Sequence, residues 1–247
     1  MGANELSVLV PCYNESKNID ALFRLCKSLV VLNPEVDFSF CFIENGSIDD
    51  TQLALEKHRK SVSSKMNITL VTIPRNLGLG FGLISGLKVL LDKNVCIIPA
   101  DGKYEAQEIS NLITEYVALN NSTLLVKGVR TFRNDPILIR FLSIFYTLWC
   151  NVLYGMNCKD INGLPKIFFN SFRIDQLELL SQSACFDGSL LGFWRARGGT
   201  MLEIPLKFTQ KIDGSSSWTG RKITVSISML REAFFRSKVI LKSGKGL

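Results

Sequence analysis

Along the first half of the chain, apolar positions fall into short unbroken runs, separated by stretches in which they recur every three to four residues. The runs are Leu6–Val10, Phe38–Ile43, Ile68–Ile73, Val95–Pro99 and Thr123–Gly128. The periodic stretches occupy about 18–31, 49–60, 80–92 and 105–119. Runs that are apolar throughout, rather than alternating, predict strands covered on both faces. Strand and helix in regular alternation predict an α/β fold with a mostly parallel sheet and helices on both faces. The second half is less regular, with a helix at about 136–155, a short strand near Lys166–Phe169, a helix at about 186–197 and a strand at Met201–Phe208. After the polar loop KIDGSSSWTG, residues 221–238 read as a basic amphipathic helix. No repeat, low-complexity tract or linker interrupts the chain, so residues 1–247 read as one domain.

Composition narrows the picture only in part. A formal charge of +7 favours an anionic partner, whether nucleic acid, membrane surface or a phosphorylated small molecule, and equally fits a basic soluble enzyme. Seven cysteines without a CxxC pair predict reduced core thiols in a cytosolic compartment rather than disulfides or a zinc site. His58 is the only histidine and lies in a charged helical stretch, which argues against histidine catalysis and His-rich metal binding. The run Leu6–Val10 is too short for a signal peptide. The apolar stretch 141–156 is too short, and too polar at Ser143, Thr147 and Asn151, to span a membrane.

In a sheet of this kind ligands bind beyond the carboxyl ends of the strands. The five runs leave through PCYNE, ENGSIDDT, PRNLGLGFG, ADGKYE and KGVRTFRND. These collect Glu15, Glu44, Asn45, Arg75, Asn76, Asp101, Lys103, Arg130 and Arg133 on one rim. Carboxylates and amides suit ribose hydroxyls and base edges, and arginines suit phosphates. The run GLGFG does not match a dinucleotide fingerprint, because its third glycine comes two residues after the second and it follows the third strand. It predicts a loop where a ligand approaches the backbone closely.

VLVPCYNESKNI, IENGSIDDT, RNLGLGFGLISGL and the aspartate turn, in that order, resemble a family 2 glycosyltransferase of the GT-A fold, in the polyprenyl-phosphate branch similar to dolichol-phosphate mannose synthase. The resemblance continues through VRTFRND, DINGLPKIF and LEIPLKF and covers nearly the whole chain. It implies a nucleotide-sugar-binding half over about 1–130 and an acceptor and membrane-facing half over about 131–238. Pro11, Tyr13, Glu15, Glu44, Asn45, Arg75, Asn76, Gly78 and Asp101 would bind a UDP- or GDP-type donor. Glu44 and Asn45 replace the family's two aspartates before the Gly-Ser pair, which leaves the base open. The family carries Asp-x-Asp where this chain has Pro99-Ala100-Asp101, and Lys103 stands in place of a further ligand.

Either Asp101 still holds Mg²⁺ or Mn²⁺ with donor oxygens, or Lys103 replaces the cation; the substitutions favour reduced metal dependence. Arg130, Arg133, Arg140 and Ser143 would bind the phosphate of a polyprenyl acceptor beside the apolar helix. Asp187 would act as an orienting group or base, completing with Asp101 and Lys103 the catalytic set. The loop Ser215–Ser217 and the basic helix (Arg221, Lys222, Arg231, Arg236, Lys238) would close over the donor and touch anionic lipid. The reading is an inverting transferase, peripheral on the cytoplasmic membrane face, without a C-terminal membrane-spanning pair and without a nucleic-acid partner. A transferase with a non-lipid acceptor and a non-catalytic nucleotide-sugar binder are the alternatives.

Overall fold

A computed structural model describes residues 4–61, 66–102, 104–131, 136–207 and 222–243, with side chains in the last segment from 228 onward. The elements run β1 (Glu5–Cys12), α1 (Ile19–Leu32), β2 (Asp37–Asn45), α2 (Thr51–Ser61), β3 (Asn67–Ile73), α3 (Leu79–Val89), β4 (Asn94–Ile97) and α4 (Ala106–Leu119). Then come β5 (Leu124–Arg130), α5 (Ile137–Tyr154), β6 (Lys166–Phe169), α6 (Ile174–Glu178), α7 (Phe186–Ala196), β7 (Thr200–Leu206) and α8 (Lys222–Ser243). The strands form one sheet in the order β3-β2-β1-β4-β6-β5-β7. All neighbours are parallel except β6, which runs antiparallel to both β4 and β5.

The expected double covering is present, and the pleat explains how one strand feeds two cores. Val8 and Val10 of β1, with Phe38, Phe40 and Phe42 of β2, face a cluster completed by α1, α2 and α4. Leu9, Cys41 and Ile43 point the other way, into a cluster shared with α3, α5, α6, α7 and α8. All seven cysteines are buried and unbridged, as expected of core thiols. His58 lies on α2, 2.6 Å from Asp20 of α1 and stacked on Phe23, so it joins two helices.

Three features differ from the sequence reading in ways that matter. Strands β1 and β2 stay paired through Pro11↔Ile43 and Cys12↔Glu44, so Pro11, Glu44 and Asn45 belong to strands rather than turns. Strand β3 is an edge strand paired only with β2, and its Asn67, Thr69 and Thr72 are exposed. Helix α5 begins at Ile137, and its 18 residues are long and apolar enough to cross a membrane by length and composition, which a window starting at 141 misses.

One buried side chain closes the end of α3. Asn170 donates through Nδ2 to the carbonyls of Leu87 and Leu90, at 2.9 and 2.8 Å; Leu87 O also takes the Leu90 N–H, and Leu90 O is an acceptor that the helix end leaves open. Asn170→Ala should therefore cost about 1–3 kcal/mol, read as a lower urea midpoint with an unchanged slope; an unaltered midpoint would mean that water serves those carbonyls equally well.

Candidate functional site

The loops leaving β1 and β2 are stitched together by backbone N–H groups. Asn14, held at φ 54°, donates from its N–H to Ser47 Oγ at 3.1 Å and accepts from the Ile48 N–H through Oδ1 at 2.9 Å. Glu15 N–H reaches Thr51 Oγ1 at 2.8 Å, and Asn18 Nδ2 donates to Glu15 Oε2 at 2.6 Å. Asp49 takes the N–H groups of Ser16 and Thr51; burial alone would raise its pKa, but these bonds and the Thr51 hydroxyl hold it below the usual carboxylate value. Glu44 is 2% exposed and accepts from the N–H groups of Ser47 and Gly46 at 2.6 and 3.3 Å. Its carboxylate thus shapes the turn beneath the rim.

The loop after β3 closes on both sides. Asn45 Nδ2 donates to the Gly78 carbonyl at 3.1 Å, and Asn76 Oδ1 accepts the Gly78 N–H at 2.8 Å. A Cβ on Gly46, which has φ 69°, would lie 2.2 Å from the Arg75 carbonyl carbon, so the two loops touch backbone to backbone. The glycine run was expected to admit a ligand. What lies against it is the chain itself: Phe81 N–H donates to the Gln182 carbonyl at 2.9 Å, and a Cβ on Gly80 would fall 2.1 Å from the Ser181 carbonyl. Gly78 has φ 107° and meets the Gln182 carbonyl in the same way. Ser181 and Ser183 in turn donate to Glu232 of α8 at 2.6 and 2.5 Å.

Beyond β4, Pro99 and Ala100 lead to the half-buried Asp101 and to Gly102 at φ 65°. Lys103 lies outside the described residues, as do Arg133, Arg221 and the Ser215–Ser217 loop. Among the described residues no three His, Cys, Asp or Glu side chains form a metal cluster. Asp101 fits a divalent cation in the mode in which one carboxylate binds it together with substrate phosphate oxygens. Tyr104 closes the turn at 6% exposure; burial pushes its hydroxyl well above the normal range, with the charges of Arg130, Asp160 and Asp101 acting on it.

Next to this turn lies a cluster of buried charge in which Arg130 and Asp187 meet Lys127, Asp160, Lys166 and Glu203, four residues that sequence reading missed. Arg130 forks on Asp160, Nε to Oδ2 and Nη2 to Oδ1, both at 2.7 Å. Burial alone would raise the Asp160 pKa, but Arg130 and Lys127 bring it down to about 2. Lys127, fully buried, donates to the carbonyls of Asp160 and Gly128 and, at 3.2 Å, to Glu203 Oε1. Directly opposite it across the β5–β6 pair stands Lys166, also fully buried, which donates to Gly163 O at 2.9 Å and to Asp187 Oδ1 at 2.6 Å. Burial lowers the Lys166 pKa, while Asp187 opposes that shift. The available signal was a lysine inside an apolar strand, in LLVKGV and again in PKIFF.

Arg140 and Ser143 lie one turn apart in the first half of α5, with Arg140 exposed. Buried Tyr146, Cys150 and Tyr154 seat one stripe of this helix. Its opposite stripe is open: Ile137 is 73% exposed, Phe141 64%, Ile144 54%, Leu148 57% and Val152 78%. Phe235 and Val239 of the neighbouring α8 are exposed as well, with Lys238 over the Phe234 ring at 4.3 Å. The fold thus gathers Pro11, Tyr13, Glu15, Glu44, Asn45, Arg75, Asn76, Gly78 and Asp101 at the carboxyl ends of β1 to β4, and Arg130, Asp160, Lys166 and Asp187 beside them.

A family model described as Glycosyl transferase family 2 matches residues 7–174. A dolichyl-phosphate beta-glucosyltransferase of Trichomonas vaginalis is 27% identical, over 93% of this chain and 73% of its own length. A polyprenol monophosphomannose synthase of Mycolicibacterium smegmatis is 25% identical, over 93% and 84%. Among solved structures, the glucosyl-3-phosphoglycerate synthase of Mycobacterium tuberculosis, in complex with Mn²⁺, UDP-glucose and phosphoglyceric acid, superposes with a TM-score of 0.67 at 16% identity, covering 95% of this chain and 80% of that one. A mannosyltransferase of Pyrobaculum calidifontis with GDP-mannose and Mn²⁺ gives 0.56 at 14% identity, covering 98% and 75%. The two structural likenesses establish the GT-A fold.

The Arg130–Asp160 fork predicts an acid response. A carboxyl lowered to about 2 contributes stability that is fully present above its unfolded pKa and is lost as pH falls through the folded one. At neutral pH, Asp160→Asn should cost about 2–3 kcal/mol, because the half-buried Arg130 loses the carboxylate on which it forks. Between about pH 5 and pH 2 the wild type's advantage over this variant should shrink by about 2–3 kcal/mol. Urea titrations at several pH values measure it, and a constant gap would show that the fork does not hold Asp160 ionised.

Proposed function

The chain belongs to glycosyl transferase family 2, and on that premise we propose that it moves a sugar, with inversion, from a nucleoside-diphosphate donor to a polyprenyl phosphate at the cytoplasmic face of a membrane. Residues 1–130 serve the donor and 131–238 the acceptor and the lipid surface. The observation that carries the reading is the open apolar stripe of α5 with Arg140 at its start. A water-soluble acceptor gives no reason to expose Phe141, Ile144 and Leu148 in one row, whereas a helix lying in a bilayer interface buries that row and keeps its basic residues at the headgroups. The two curated relatives, named for dolichyl-phosphate and polyprenol substrates, support the same acceptor.

The chemistry follows from charge. A phosphate monoester near neutral pH is already largely a dianion, so one of its oxygens attacks the anomeric carbon without giving up a proton. The bond from that carbon to the diphosphate oxygen breaks as the new bond forms on the opposite face. One unit of negative charge passes from the acceptor phosphate to the leaving diphosphate. Positive charge is therefore needed on the donor side as the reaction proceeds. Asp101 is the residue that would hold Mg²⁺ or Mn²⁺ there, and the cation would neutralise the leaving group. Lys103 and Arg75 would share that task. Arg140 and Ser143 hold the attacking phosphate, and Arg133 would add to the attraction.

Transfer from UDP-glucose and GDP-mannose to a polyprenyl phosphate in phospholipid vesicles, with and without EDTA, tests the reading; transfer to soluble acceptors alone would end it. Asp101→Ala should abolish transfer with the fold intact. Arg140→Ala should raise the apparent KM for polyprenyl phosphate about 10- to 150-fold, the loss of one charge-assisted contact, and leave the donor KM unchanged. Equal losses for both substrates would make Arg140 a structural residue.

A further inference from the structure

Lys166 is a costly residue to bury. Its ammonium is fully enclosed and stands opposite Lys127, another enclosed ammonium, in the β5–β6 pair. Like charges directly opposite each other on one sheet face repel. A buried ion pair is also no better for stability than well-packed apolar side chains of the same volume. The arrangement holds together because each lysine has its own acceptors: Lys127 takes the Asp160 carbonyl and Glu203, and Lys166 takes the Gly163 carbonyl and Asp187. The Lys166–Asp187 bond also has a direction. It joins the first residue of β6, paired with Ile97 at the end of β4, to the first turn of α7. Asp187 therefore stands at the end of the sheet where the Asp101 turn begins.

Asp187 is 13% exposed at its side chain and gives Oδ1 to Lys166. Among the described residues no hydrogen bond reaches its Oδ2. We propose that Lys166 is a positioning residue, whose ammonium clamps Oδ1 of Asp187 so that Oδ2 accepts a hydrogen bond from a hydroxyl of the donor sugar. The proposal rests on the donor reading above. A fixed carboxylate suits a neutral hydroxyl donor, since an O–H to an ionised oxygen makes a strong bond. The same carboxylate would repel the acceptor phosphate and the donor diphosphate, so the sugar is the part of the substrates that fits it. The clamp removes the rotational freedom that would let the carboxylate turn to water, which is the sense in which a site is organised before its ligand arrives.

The test uses calorimetry with UDP-glucose, UDP, GDP-mannose and GDP on the full chain. Asp187→Asn and Lys166→Met should each weaken the nucleotide sugar about 10- to 100-fold and leave the bare nucleotide within about two-fold. Lys166→Arg should restore most of the affinity. In the double variant the loss should not exceed that of the worse single variant, since both remove one interaction. Losses that multiply, or an equal loss for nucleotide and nucleotide sugar, overturn the proposal. Should Lys166→Met not fold, the comparison of Asp187→Asn with the double variant, which removes both charges, decides the same point. If neither nucleotide binds the wild type, the donor reading itself fails; the clamp is then judged by the Asp187 carboxyl ¹³C signal, identified by its loss in Asp187→Asn. That signal should move in Lys166→Met and return in Lys166→Arg, and a signal unmoved by Lys166→Met overturns the clamp.

Discussion

The reversal of β6 is the constraint on which the rest of the arrangement depends. In a purely parallel sheet, a strand placed between β4 and β5 would begin at the end of the sheet opposite the rim. Because β6 runs antiparallel to both neighbours, it begins where they end, and its first residue, Lys166, pairs with Ile97 and Lys127. The connection from α5 must therefore return to the rim, bringing Asp160 within 2.7 Å of Arg130. The same reversal sets two lysines face to face on the side of the sheet covered by α5 and α7. Among the described residues, three cations (Lys127, Arg130, Lys166) then meet three anions (Asp160, Asp187, Glu203) in a region shielded from water. Equal numbers of each sign are what make such burial tolerable.

A second joint ties the halves together from the other side. Gly78 and Gly80 leave no side chain between α3 and the 181–183 backbone, and that backbone is bound through Ser181 and Ser183 to Glu232 on α8. Helix α8 carries exposed Phe235 and Val239 beside the open stripe of α5. The loop that follows β3 at the rim is thus held by a helix of the apolar surface. Two glycines and two serines carry this connection, and larger residues at the glycines would drive the segments apart.

Much of this was legible in the chain before any coordinates. Unbroken apolar runs alternating with helical periods gave the parallel sheet and its double covering, because burial on both faces removes polar positions from a strand. That Glu15, Glu44, Asn45, Arg75, Asn76 and Asp101 gather at one rim followed from reading what leaves each strand's carboxyl end. The limits have physical causes. Direction is invisible in a strand as short as Lys166–Phe169, since parallel and antiparallel pairing bury the same side chains. The edge position of β3 depends on which strand has no second neighbour, which is a property of topology. The glycine run was read as room for a ligand, and glycine records only that something comes close; here it is residues 181–183. The family resemblance groups Arg130 with the acceptor arginines, whereas its fork is engaged by Asp160, a residue 30 positions later that nothing local connects to it.

The fork on Asp160 bears on the proposed acceptor site. A guanidinium bound at two points by a carboxylate presents little net charge to a second anion, so Arg130 contributes shape and orientation more than attraction. The attraction then falls to arginines that are not paired in this way. Arg140 stands on the solvent side of α5, at the start of the helix whose apolar stripe runs away from it. An acceptor with a charged head and a long apolar tail matches that order along the helix, head at Arg140 and tail over Ile144, Leu148 and Val152. If such an acceptor binds there, transfer removes one negative charge from its head and weakens its attraction to Arg140, while the tail's contact with a lipid surface would be unchanged. On the proposed reading, product would therefore leave the basic site more readily than substrate does and stay in the membrane.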